Sequence, residues 1–266
     1  MDLVTPIGIV LAIAALIFSF YLEGGSPLDF FESPGAILLV VGGTLGVALA
    51  SNRVKDISGI AKAALSALRP GAAHNAAATV NELMGYAEMA RHQGLLALEE
   101  QVKDIEDPFL RRGLELVIDG TDSDEVADVL NDEVDAQTIR HRVASKFFAD
   151  MGAFAPTLGI LGTVLGLYHA LQSAGEDPDK LVAAISVAFL ATLWGVMTAN
   201  LIYLPISNKL KRMSTVETAH RRLLIQGVLA IQAGASPRAV GERLKSHLPP
   251  RERDGVGEDD AEKLSA

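Results

Sequence analysis

The sequence predicts an all-α integral membrane protein, with four transmembrane helices and a helical cytoplasmic domain between the second and third. Three observations predict it. Four apolar runs, Leu3–Leu22, Gly35–Ser51, Ala153–Gln172 and Leu181–Leu204, contain no Asp, Glu, Lys or Arg. A bilayer-crossing helix needs about 20 such residues, and about 17 suffice. Basic residues follow the second run (Arg53, Lys55, Lys62, Arg69) and the fourth (Lys209, Lys211, Arg212, Arg221, Arg222), whereas the turns "EGGSPLDFFESP" and "SAGEDPDK" hold only Lys180. The positive-inside rule then puts both termini and the middle segment in the cytoplasm. Finally, the chain is 49% hydrophobic with a mean hydropathy of +0.28, more apolar than a soluble domain of 266 residues.

Residues 1–51 form the first transmembrane hairpin. Met1-Asp2 supplies no positive n-region and "SFYLEGG" is a poor cleavage site, so the first run is expected to stay as a helix. Residues 52–152 read as cytoplasmic helices. Lys55–Leu68 is Ala- and Leu-rich, and "RPGAAHN" breaks it. Asn75 caps a helix to about His92, and Gly94 separates it from Leu95–Ile105. Asp107-Pro108 places a cap before a proline at the first helical position, and that helix stops at Gly120. Asp122 or Ser123 caps the next helix, whose acidic first turn suits the helix dipole. No Pro or Gly follows before Gly152, so it is expected to run directly into the third span.

Residues 153–204 form the second hairpin. In residues 205–248 a helix continues from Pro205 to about Ala233, then "GASP" caps a short one over Arg238–His247. Residues 249–266, polar and without aromatics, are expected to be disordered.

Composition excludes several functions. A formal charge of -10 argues against nucleic acid, and the absence of cysteine removes thiol chemistry and Cys-based zinc sites. The six His are scattered, which gives no metal-ligand spacing. There is no phosphate-binding Gly loop and no nucleophile–base pattern, so no cofactor or enzymatic activity is expected.

Within the spans, small residues recur at helical spacing. At about 100° per residue, Ala184, Ala188, Thr192, Gly195 and Ala199 share one face of the fourth span. Gly159, Thr163, Gly166 and Ala170 share one face of the third, and Gly42, Gly46 and Ala50 one face of the second. Small faces let helix backbones approach closely in lipid, where packing rather than hydrophobic exclusion drives association. They serve either the protein's own helices or helices of another chain. Thr163 and Thr192 put hydroxyls mid-span, and Pro156 and Pro205 bracket the two helices, each depriving a carbonyl of its helical donor. An intramembrane ion route ordinarily contains an ionisable residue. His169 lies near the outer end and suits an interfacial role, so no such residue stands at mid-depth. Either the protein carries no ion, or a second chain brings a carboxylate against the threonine stripe.

The segments "APTLGILGTVLGLYHAL", "VAFLATLWGVMTANLIYLPISNKLK" and "ARHQGLLALEE", in this order and topology, resemble the A subunit of the flagellar motor stator, the MotA/PomA family. The likeness runs from Met1 to about Leu248. That family belongs to the group that includes the ExbB and TolQ subunits, which energise cell-envelope complexes. Those subunits are expected to have three spans, and the four-span layout disfavours that alternative. The resemblance implies a pentamer in the bacterial inner membrane, surrounding the helices of a B-type partner (MotB/PomB). The partner supplies a membrane Asp and a peptidoglycan anchor. Proton or sodium flow then drives the ring, which pushes the rotor protein FliG. Matched residue by residue, Arg91 and Glu99 are the rotor-contacting charges, with Glu88 and Glu100 weaker candidates. Pro156 and Pro205 are the conformational-coupling prolines, and Thr163 and Thr192 line the ion path. Ala191 stands where sodium-driven members often carry Thr, a departure that favours protons.

Overall fold

A computed structural model describes residues 4–68, 75–173 and 178–257, and among them the secondary structure is entirely helical. In chain order the α-helices are α1 (Val4–Leu22), α2 (Pro34–Ile37), α3 (Gly43–Ala50), α4 (Val54–Leu68), α5 (Ala76–Gln93), α6 (Leu98–Val102), α7 (Pro108–Ile118), α8 (Ser123–Ser173), α9 (Pro178–Thr198), α10 (Leu204–Gln232) and α11 (Pro237–Lys245). A π-helical turn, Leu38–Gly42, joins α2 to α3, and a second, Ala199–Tyr203, joins α9 to α10.

Two helices, Ser123–Gln172 and Leu181–Gln232, are long and apolar enough to cross a membrane. Two shorter apolar helices, Pro6–Leu22 and Pro34–Ala50, coincide with the first two runs. At about 1.5 Å per residue, a 17-residue helix reaches roughly 25 Å.

The predicted punctuation matches the observed boundaries in most places. The Asn75 side chain accepts from the Ala78 N–H at 3.2 Å, and Asp107 accepts from the Phe109 N–H at 2.8 Å. Asp122 rather than Ser123 holds the start of α8, accepting from the Asp124 N–H at 2.9 Å. Gly94 and Gly120 take positive φ of 85° and 78° and end α5 and α7. Helix α8 does run unbroken into the apolar segment, over 51 residues. The expected break at "RPGAAHN" falls largely outside the described residues.

The chain divides into two compact units. The apolar unit comprises Met1–Gly71 and Arg140–Met213, the other Ala72–Ile139 and Ser214–Ala266. The second unit has a conventional core, in which Leu83, Leu98, Phe109, Leu110, Leu114, Leu130, Leu224 and Ile231 are all buried. Close helix approach there relies on glycines set against large side chains: Gly113 against Leu130 and Val228, Gly227 against Leu83, and Gly241 against Met84.

Two expectations are corrected. The segment Leu95–Ile105 is not one helix but a 3-10 turn, Leu95–Ala97, followed by α6. The predicted disordered tail begins with ordered residues. Pro250–Glu252 form a 3-10 turn, and Asn81 clamps the chain beyond it by donating to the Gly255 carbonyl (3.2 Å) and accepting from the Gly257 N–H (3.0 Å). Val256 is buried there, a single apolar side chain that composition could not single out. The rest of the tail, from residue 258, lies outside the described residues.

Candidate functional site

In the apolar unit, the small faces of α8 and α9 turn toward each other. A Cβ on Gly195 would lie 2.6 Å from the Ala155 carbonyl oxygen, and one on Gly159 would lie 2.9 Å from that of Ala191. A Cβ on Gly166 would lie 2.7 Å from that of Ala188, and one on Gly152 2.6 Å from Leu204 Cδ2. The Gly159, Gly166 and Gly195 pairings form one antiparallel register in which the helix backbones approach closely, and Gly152 seats the Leu204 side chain. For the third and fourth spans the stripes therefore serve the chain's own packing.

Thr163 and Thr192 meet within this register. Their hydroxyls are hydrogen-bonded to each other. Thr163 Oγ1 also lies 3.2 Å from the Gly159 carbonyl and 3.1 Å from that of Ala188, and Thr192 Oγ1 lies 3.5 Å from the Gly159 carbonyl. Two hydroxyls and two carbonyls thus concentrate oxygen at one half-buried place in an otherwise apolar pair of helices. Such a cluster can solvate a proton carrier or a desolvated cation, yet it has no group that holds a charge by itself.

The prolines flank this place on one side. Pro156 sits inside α8 and provides no N–H for the Gly152 carbonyl, and its Cα lies 3.2 Å from where a Gly195 Cβ would be. Pro205 is the second residue of α10, immediately after the π-turn Ala199–Tyr203. That wide turn accommodates a carbonyl left without its proline-removed donor. Leu204, the neighbour of Pro205, packs on Gly152, four residues before Pro156, so both prolines belong to the same end of the helix pair.

The second apolar run differs from expectation. Gly46 and Ala50 are exposed, with nothing within 4 Å of a Gly46 Cβ; the buried face is instead Val40, Thr44 and Ala48. Gly43 meets Leu158, and Leu39 meets Gly162. The same every-fourth spacing, shifted by two residues, marks this face in the sequence, but size alone ranked the glycine face above it. Thr44 is fully buried, and its hydroxyl makes no hydrogen bond among the described residues. Other polar links that pattern reading missed hold the unit together. Trp194 donates from Nε1 to the Phe30 carbonyl at 2.8 Å, and Ser207 donates to the Ser145 carbonyl at 2.8 Å.

In the other unit, Arg91 stands in the last turn of α5 and Glu99 in the first turn of α6. Both are exposed, as are Glu88 and Glu100, and neither Arg91 nor Glu99 forms an ion pair among the described residues. Earlier on α5, burial and then the Glu82 carboxylate raise the Tyr86 phenol above its ordinary pKa, and the phenol donates to Glu82 at 2.7 Å. No cluster of three or more His, Cys, Asp or Glu suits a metal among the described residues.

The model of the MotA/TolQ/ExbB proton channel family matches residues 101–222. Motility protein A of Bacillus subtilis is 37% identical over 257 residues, covering 95% of this chain and 93% of that protein. The chain belongs to the motility protein A family. Chemotaxis protein PomA of Vibrio alginolyticus is 36% identical over 248 residues, covering 93% of this chain and 96% of that protein. Among solved structures, C. jejuni MotAB matches with a TM-score of 0.88 at 28% identity, over 94% of this chain and 97% of that one. The flagellar MotAB stator complex from Bacillus subtilis matches with a TM-score of 0.86 at 35% identity, over 93% and 96%. This motility protein A homologue is accordingly a membrane protein and a flagellar stator channel subunit of the MotA/PomA type, rather than an enzyme.

Proposed function

We propose that the chain works as the A subunit of a stator in the bacterial inner membrane, with both termini cytoplasmic and the four apolar helices spanning it. Its relatives' structures are MotAB complexes, and the partner here is a B-type subunit. That partner brings the membrane Asp and the peptidoglycan anchor, five copies of this chain surround it, and lipid covers the outer face. Residues 52–152 and 205–248 act on the cytoplasmic side, where Arg91 and Glu99 face FliG.

The observation that supports this reading is the oxygen cluster at Thr163 and Thr192, set between two apolar runs that contain no Asp, Glu, Lys or Arg. An ion passing there needs a carboxylate from the partner, and the hydroxyls ease its desolvation. Neutralising that carboxylate changes the favoured packing of the proline-bearing end of α8 and α9. One charge crossing 100 mV supplies about 2.3 kcal/mol, whereas a full two-state switch needs about 5.5 kcal/mol. Torque is therefore generated in small ion-coupled steps.

The test uses a motile strain lacking its native A subunit. Pro156→Leu and Thr192→Val are expected to reduce both swimming and the ion conductance of the assembled complex, and normal values for both would reject the path. Sodium removal and protonophore addition separate the two ions. With Ala191 in place of a hydroxyl, swimming is expected to stop with the protonophore and persist without sodium.

A further inference from the structure

Among the described residues, the cytoplasmic-side unit leaves three large apolar side chains exposed: Leu96, Ile139 and Val216. Ile139 is the last residue of its stretch, next in sequence to the apolar unit's Arg140, and Val216 is the third residue of its own, three after Met213. Leu96 has no such neighbour and is 71% exposed.

Its exposure is built in. Gly94, at φ 85°, ends α5 and donates its N–H to the Ala90 carbonyl at 2.9 Å, and the 3-10 turn Leu95–Ala97 follows. Leu95 packs against the core, and Leu98 and Val102 are buried. These three pin the turn from inside and leave Leu96 held outward. Glu99 follows three residues on, in the first turn of α6, and Arg91 stands in the last turn of α5 before the Gly94 stop. His92, Gln93, Glu99 and Glu100 are likewise exposed.

A fixed apolar side chain rimmed by charges that form no ion pair among the described residues can anchor an interface, the apolar group being desolvated while the surrounding polar contacts exclude water. Charges alone serve poorly, because exposed ion pairs are weak and salt-screened. We propose that Leu96 is the apolar anchor of the rotor contact. It inserts into a leucine-sized hollow on the rotor surface, with an acidic side chain there meeting Arg91 and a basic one meeting Glu99. This rests on the rotor-facing reading of Arg91 and Glu99.

The experiment compares intact stators carrying Leu96→Ala, Leu96→Asp, Leu96→Met, Arg91→Glu or Glu99→Lys, reading torque, recruitment of tagged complex to motors, assembly and ion conductance. Leu96→Ala is expected to weaken rotor engagement roughly tenfold. Leu96→Asp should abolish torque with assembly and conductance unchanged, and Leu96→Met, which keeps the apolar volume, should restore it. If the charge reversals stop torque while Leu96→Asp does not, the anchor is overturned and the rotor reading survives. If none of them affects torque, that reading fails and the anchor with it. Loss of assembly or conductance in both Leu96→Ala and Leu96→Asp would make the residue structural and overturn the proposal. Because the chain lacks cysteine, Leu96→Cys provides a single thiol for a photoactivatable maleimide. Adducts to a rotor protein are expected from Leu96→Cys and not from Val216→Cys, and equal yields would also overturn it.

Discussion

The two units invert each other. In the unit with the conventional core, Leu83, Leu110, Leu114 and Leu130 lie inside and charges outside. In the apolar unit, Ile160, Leu161, Val164, Leu165 and Leu171 of α8 and Phe189 of α9 face outward, while glycine, alanine and threonine form the contact between the helices. Helical periodicity is the same in both, and the surroundings differ. Water expels large apolar side chains into a core, whereas lipid accepts them, so helices associate through close backbone approach and shared hydrogen bonds. A small residue is a weakness in one unit and the joint in the other.

The sharpest way to break this contrast is Gly195→Val. Its Cβ would meet the Ala155 carbonyl at 2.6 Å, and backbone cannot move aside as a side chain tip can. The variant is expected to lose about 3 kcal/mol or more and yield no assembled complex by size-exclusion chromatography. In the other unit, Leu114→Ala should cost about 2–5 kcal/mol, read as a lowered thermal midpoint. Asn81→Ala removes both bonds that clamp Gly255 and Gly257. It should release the tail at about 1–2 kcal/mol, measured as faster tryptic cleavage after Arg251 and Arg253 with the core still folded. Thr198→Val is a control for the threonine pair, since the Thr198 hydroxyl donates within its own helix, to the Trp194 carbonyl (2.8 Å) and the Gly195 carbonyl (3.3 Å), and also meets the Tyr203 side chain. Conductance should hold there and fall in Thr192→Val, with both within about 1 kcal/mol of wild-type stability. The smallest effect is expected at Gly46→Ala, within about 0.5 kcal/mol, because that site is open.

Local chemistry alone settled much of this molecule. Caps at Asn75 and Asp107, stops at Gly94 and Gly120, and the unbroken passage of α8 follow from residues acting on their own neighbours, and such effects do not depend on distant packing. The apolar runs and their flanking charges likewise state a solvent preference residue by residue. Partnership between faces is different, because it depends on register between segments far apart in the chain. Only the folded arrangement showed that the stripes of α8 and α9 serve each other and join Thr163 to Thr192. The same arrangement turned Thr44 inward in place of Gly46, and let one valine in a polar tail draw it onto α5. Periodicity identifies a face that can pack, and tertiary contact decides what that face meets.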